Sequence, residues 1–156
     1  MGHEHTYKAL LTWEGNLGEG TTSYQGYGRG WRVRIDGKPD LEGSADPAYR
    51  GEAGRHNPED LLVASLSSCH MLTYLALCAR NRISVVSYAD EAVGVMETTP
   101  DGGGKFVSVT LHPMVEIADG TNSELAMKLH EKAHTLCFIA ASVSFPVHHA
   151  AVVKAR

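Results

Sequence analysis

From Leu61 to Ala79 the chain runs 19 residues without an Asp, Glu, Lys or Arg. A stretch that long is either a membrane span or the core helix of a globular protein. Ser65, Ser67, Ser68, His70 and Thr73 interrupt it, and no second span or aromatic belt accompanies it, so it is too polar for lipid. It reads as a helix buried on most sides in a soluble protein, with no membrane partner. Its start is marked at Asn57-Pro58-Glu59: Asn is a preferred N-cap, Pro fits the first helical position, and an acid suits the positive helix end. The helix is expected to reach about Arg82.

The rest of the chain must form the surface against which that helix packs. At 156 residues, 43% hydrophobic and 21% charged, the chain has the size and composition of one folded domain spanning residues 1–156. A net charge of -4 gives no basic footprint for nucleic acid. Three cysteines, an odd number, do not form the disulfide framework of a small secreted domain. The N-terminal residues lack the basic, apolar and small-residue pattern of a secretory signal, so a cytoplasmic location is expected.

His5 to Trp13 favours strand. Gly15 to Gly30, with six glycines, reads as loop and hairpin. Trp31 to Ile35 reads as a strand ending at the Asp36-Gly37 turn, and Leu41 to His56 as irregular chain. No phosphate-cradling glycine motif occurs. Beyond the helix, Ser84 to Thr99 and Lys105 to Ile117 are β-rich runs flanking a hairpin tip at Pro100 to Gly104. Thr121-Asn122-Ser123-Glu124 reads as a capping box opening a helix to about Leu136. Cys137 to Val143 reads as a further helical turn or two, and Pro146 to Val153 as one closing strand. These elements make an α+β domain.

Helix geometry sorts the cysteines. Cys69 and Cys78 are nine residues apart, about 13 Å along one helix and on opposite sides of it, so they cannot bond to each other within a chain. Cys137 could return to either one. Cys69 sits in the polar interruption Ser67-Ser68-Cys69-His70, whereas Cys78 sits among Leu75, Ala76, Leu77 and Ala79 and reads as core. A working Cys69 needs a cation or hydrogen bond to favour its thiolate, and it lies too far along the helix for the N-terminus to supply one. Arg50 and Arg55, in the loop before the helix, are the candidate cations.

The run from Asn57 through Cys69-His70, followed by Cys137 in Ala133-His134-Thr135-Leu136-Cys137, resembles the osmotically inducible protein C and organic hydroperoxide resistance (OsmC/Ohr) family. The likeness extends from Trp13-Glu14-Gly15 to the closing strand. It implies an OsmC/Ohr-like fold, with an antiparallel sheet and a long buried central helix, in an intertwined homodimer. It further implies a thiol peroxidase that reduces organic hydroperoxides without metal or organic cofactor. Cys69 is then the peroxidatic cysteine, Cys137 the resolving cysteine, and Glu59 the carboxylate that positions an arginine. That arginine is most similar to Arg50, in Ala48-Tyr49-Arg50-Gly51-Glu52, with Arg55 open as the alternative. A small dithiol or lipoyl-type reductant is the implied recycling partner. Phe138 departs from the family pattern, in which proline commonly follows the resolving cysteine. Leu66, Leu72 and Phe138 would suit a lipid-like substrate.

Helix arithmetic bears on the dimer. Glu59 and Cys69 are ten residues apart, so about 15 Å of rise separates them on one continuous helix. Two such helices crossing antiparallel would instead bring Glu59 of one chain toward Cys69 of the other.

Other readings compete. His130-Glu131-Lys132-Ala133-His134 is a literal H-E-x-x-H, but it lacks a third metal ligand and reads as a solvated helix face. His70 cannot face Cys69, because neighbours on a helix point about 100° apart. A thioesterase or acyltransferase using Cys69 with another histidine, and a catalytically silent binding module, remain the functional alternatives.

Overall fold

The computed structural model describes residues 2–156. Two compact units divide it, residues 1–61 and 62–156. In the first, strands β1 (Leu10–Trp13), β2 (Trp31–Arg34) and β3 (Leu41–Gly43) form an antiparallel sheet in the order β1-β2-β3. β3 lies within the segment expected to be irregular. Three residues are too few to leave a periodic signal, and pairing with Trp31, Arg32 and Val33 defines them as strand. Gly43 faces the Trp31 ring so closely that an added Cβ would lie 2.0 Å from it. The Trp31 indole is then held by donation from Nε1 to the Ser44 carbonyl at 3.0 Å.

The long helix α1 spans Pro58–Arg80. Its N-terminus is closed reciprocally: Asp60 N–H donates to Asn57 Oδ1 at 2.8 Å, and Asn57 N–H donates to Asp60 Oδ2 at 3.2 Å. At the other end, Arg82 adopts the left-handed conformation (φ 59°), and Ile83 N–H returns to the Cys78 carbonyl at 2.9 Å. In the single chain α1 buries one stripe, Leu66, His70, Tyr74, Leu77 and Cys78, rather than most of its sides. Ala64, Ser68, Leu72 and Ala76, spaced by four, form an exposed row.

In the second unit, β4 (Val85–Asp90), β7 (Pro113–Ile117) and β9 (Val152–Ala155) form one sheet, and β5 (Val93–Thr98), β6 (Gly104–Leu111) and β8 (Val147–His149) another. The run Ser84 to Thr99, expected as one β segment, divides between both sheets. The closing strand does the same, becoming β8 and β9. The expected antiparallel sheet is mixed, because β9 lies parallel to β7 and β8 parallel to β6. The β5–β6 hairpin matches its expected tip.

The second helix, α2 (Ser123–Leu136), is capped by Asn122, not Thr121: Asn122 Oδ1 accepts from Leu125 N–H at 2.9 Å. Thr121 instead donates to the Ala118 carbonyl before the helix begins. Only Ala140–Ser142 is helical beyond Cys137, as a single 3-10 turn.

One core of this unit joins Tyr74, Leu77, Cys78 and Ile83 to Val115, Ile117, Ala126, Leu129 and Ala133. A second joins Leu66 to Val109, Leu111 and Val147. Each fully buried aliphatic side chain here stabilises the fold by about 1.5–3 kcal/mol. A polar tie reinforces the packing. Asp90 accepts from Ser67 Oγ at 2.5 Å and from His112 N–H at 2.6 Å, joining the middle of α1 to the entry of β7.

Candidate functional site

Two groups of polar and titratable side chains stand out, one in each unit. In residues 1–61 a cavity of about 320 Å³ is lined by Arg29, Trp31, Ser44, Ala45, Asp46, Tyr49, Pro58 and Glu59. Glu59 is partly exposed in the first turn of α1, where Asn57 and Asp60 already complete the cap. Its carboxylate is therefore not needed to close the helix. Neither expected arginine lines this cavity. Arg55 is engaged with Glu52 through Nε at 2.7 Å, and Arg50 sits exposed at the end of a 3-10 turn with a left-handed backbone (φ 65°).

The arginine that does line it, Arg29, was missed in the sequence because it sits in the glycine-rich loop. Its guanidinium donates to the Tyr24 carbonyl at 2.6 Å and to the Tyr27 carbonyl, and it lies 3.8 Å from the centre of the Tyr27 ring. No carboxylate pairs with it among the described residues. The signal available in the sequence was the pair Tyr24 and Tyr27 just ahead of a basic residue.

In residues 62–156 the thiols of Cys69 and Cys137 are neighbours, and all three cysteines are free. Cys69 is half-buried on α1, whereas Cys137 caps the C-terminus of α2 and is 1% exposed. Burial pushes the Cys137 thiol up to about 11, the contact with Cys69 adds to the rise, and donation from Ala140 N–H to Sγ at 3.5 Å partly offsets it. Cys78 lies in the core, where burial also raises its thiol. Of the apolar residues expected around Cys69, Leu66 is buried, while Leu72 and Phe138 are 63% and 82% exposed in the single chain.

A histidine cluster adjoins this pair. His70 Nε2 and His130 Nδ1 are 3.0 Å apart, with the rings within 5° of parallel and both residues almost wholly buried. The Tyr74 ring stacks on His130 at 3.9 Å, and Tyr74 Oη donates to the Ala126 carbonyl at 3.0 Å. His149 Nε2 lies 3.1 Å from a Glu131 carboxylate oxygen.

The expectation that the H-E-x-x-H segment is a solvated face therefore fails for its first histidine. His130 falls on the stripe of Ala126, Leu129 and Ala133 that α2 turns to the core. Among the described residues, no three His, Cys, Asp or Glu side chains converge as a metal site. Desolvation lowers the ring pKa of His70 to about 4 and of His130 to about 3, so both are neutral near neutral pH.

The model of the OsmC-like protein family matches residues 51–150. Among solved structures, an OsmC-like protein of unknown function from Vibrio cholerae is 33% identical, with 96% of this chain and 100% of that one covered and a TM-score of 0.85. An organic hydroperoxide resistance protein from Elizabethkingia anophelis is 22% identical over 100% of both chains, with a TM-score of 0.71. One from Legionella pneumophila is also 22% identical, over 98% and 99% of the two chains, with a TM-score of 0.69. No curated protein matches the chain. With α1 opened by Asn57-Pro58-Glu59, Cys69 beside Cys137, and a family model spanning both cysteines, the chain belongs to the OsmC-like protein family.

Proposed function

We propose that the protein is a thiol-dependent peroxidase that reduces organic hydroperoxides, with Cys69 as the peroxidatic and Cys137 as the resolving cysteine. The observation that carries this reading is the pair itself: a partly exposed thiol on α1 beside a buried thiol at the end of α2. The organic hydroperoxide resistance proteins that share the fold support the choice of substrate.

The Cys69 thiolate attacks the distal peroxide oxygen. The O–O bond breaks, the alkoxide takes a proton and leaves as an alcohol, and Cys69 becomes a sulfenic acid. Cys137 sulfur then attacks Cys69 sulfur; its thiol proton and the departing hydroxyl leave as water, and a disulfide remains. A dithiol reduces that disulfide by exchange, and the two electrons that reduced the peroxide are restored. A small dithiol or lipoyl-type molecule fits this last step, and a reducing cytoplasm suits the cycle. Because burial holds Cys137 as a thiol, it stays protonated until the sulfenic acid forms beside it.

Glu59 is assigned the role of orienting an arginine toward the reacting sulfur. The resemblance gives that arginine as Arg50, with Arg55 as the alternative. Arg29, a fixed guanidinium lining the same cavity as Glu59, competes with both. Glu59 and Cys69 stand about 15 Å apart along α1, which supports a homodimer in which Glu59 of one chain serves Cys69 of the other. The exposed row Ala64, Ser68, Leu72 and Ala76 suits close helix packing across such a dimer.

The test is peroxide consumption with a dithiol as the sole reductant. Stoichiometric oxidation of the dithiol supports the peroxidase. Hydrolysis of an acyl thioester without reductant favours the thioesterase, and neither activity leaves a binding module.

A further inference from the structure

We propose that the hydrogen-bonded pair His70–His130 is a positioning device for disulfide resolution, fixing α1 against α2 so that Cys69 and Cys137 meet in bonding geometry. This rests on the two-cysteine reading and assigns a role to residues it does not use. His70 immediately follows Cys69 on α1. His130 lies two turns before Cys137 on α2. The nitrogen-to-nitrogen contact of 3.0 Å thus spans the two helices that carry the two sulfurs. Tyr74 adds two parallel links, its ring stacked on His130 and its hydroxyl bonded to Ala126.

The chemistry of His130 indicates that its bond to His70 is what the imidazole supplies. Its Nδ1 meets His70, but its Nε2 is buried without a partner. A phenylalanine could occupy the same space against Tyr74 with no orphaned nitrogen of its own, and an orphaned buried polar atom is costly, so what the imidazole adds is its bond to the buried His70. With both rings neutral, one nitrogen donates and the other accepts, so the contact is a directional bond.

Resolution depends on such direction. A disulfide requires the two Cα atoms to lie within about 4.4–6.8 Å and the Cβ–S–S–Cβ dihedral near 90°. Cys137 is buried and held by backbone bonds at the end of α2, with its N–H donating to the Ala133 carbonyl at 2.9 Å, so it cannot swing far to search for its partner. The approach of the sulfurs is therefore set by how the helices sit.

The variants that test this separate ring from bond. His130→Phe keeps an aromatic ring on Tyr74 and loses the bond to His70. His130→Asn places an amide where Nδ1 stands and keeps the bond while losing the stack. After one equivalent of peroxide, formation of the Cys69 sulfenic acid and of the Cys69–Cys137 disulfide are timed separately, by quenching with dimedone and by alkylation mapping. In His130→Phe the acid should form at close to the wild-type rate, while disulfide formation slows about tenfold, the loss expected for one hydrogen bond. His130→Asn should recover most of that rate. Disulfide formation at the wild-type rate in His130→Phe, or no recovery in His130→Asn, overturns the proposal.

Should His130→Phe fail to fold, His70→Leu and His70→Gln make the same comparison from the other side of the bond, with the same refuting results. A wild-type chain that forms no Cys69–Cys137 bond refutes the two-cysteine reading and this proposal with it. A wild-type chain that forms the bond beside an equally fast His130→Phe refutes the positioning role alone.

Discussion

Lowering the pH from 7 to 5 should destabilise this protein through its two buried imidazoles. His70 and His130 have ring pKa values near 4 and 3 in the fold, against about 6.5 in an unfolded chain. Between those limits the unfolded chain binds protons that the native state refuses, so stability rises with pH and is lost as pH falls through 6.5. Each group forfeits about 1.4 kcal/mol per pH unit in that window, hence about 2 kcal/mol at pH 5. Taken independently the pair costs about 4 kcal/mol, a large part of the 5–15 kcal/mol available to a domain. His149 and His134 add repulsion toward a charged His70, and Asp90 opposes it.

Urea unfolding of the wild type and of His130→Phe at pH 7 and pH 5 isolates the effect from the other histidines. The wild type should lose about 2 kcal/mol more than the variant over this interval. Equal losses in the two proteins, or a wild type that grows more stable on acidification, would refute the argument.

Three further outcomes are expected. Cys137→Ser should accumulate Cys69 sulfenic acid and over-oxidise under excess peroxide, with turnover falling at least tenfold; dimedone labelling and dithiol-coupled rates check it. If an arginine works with Glu59, its replacement by alanine should lower the rate of the first thiol step by about 10²-fold, the scale of a lost charge-assisted contact at a reacting group, and parallel measurements on Arg29→Ala, Arg50→Ala and Arg55→Ala identify it, whereas three wild-type rates refute the partnership. A purified heterodimer of one Glu59→Ala and one Cys69→Ser chain should keep about half the wild-type activity if sites are shared between chains. A dead heterodimer beside active controls contradicts the shared site, and a monomer in sedimentation contradicts the dimer.

What could be read from the chain was local. Asn57, Pro58 and Glu59 lie within one helical turn, so the start of α1 was visible from residue type and spacing, although the reciprocal cap uses Asp60. The tip between β5 and β6 was visible for the same reason, since its glycines mark it directly. Strand partition was not legible. β4 and β5 are separated by two residues yet join different sheets, and β8 and β9 do likewise; only pairing with β6 and β7 defines those breaks.

The cysteines were legible as candidates because Cys69 interrupts an apolar helix with polar neighbours. Their proximity depends on how α1 and α2 pack, which no spacing encodes. His130 was misjudged because two charged neighbours, Glu131 and Lys132, masked its place between Ala126 and Ala133 on the core stripe. Arg29 was passed over because a glycine-rich loop carries no periodicity to say which way a side chain points.

The most direct measurement is the ratio of dithiol oxidised to organic hydroperoxide consumed, followed in the wild type and in Cys69→Ser. The account predicts one dithiol per hydroperoxide, with the corresponding alcohol as product, and loss of this turnover in Cys69→Ser. Sustained turnover without Cys69, or a folded wild-type protein that consumes no hydroperoxide in the presence of dithiol, would contradict it.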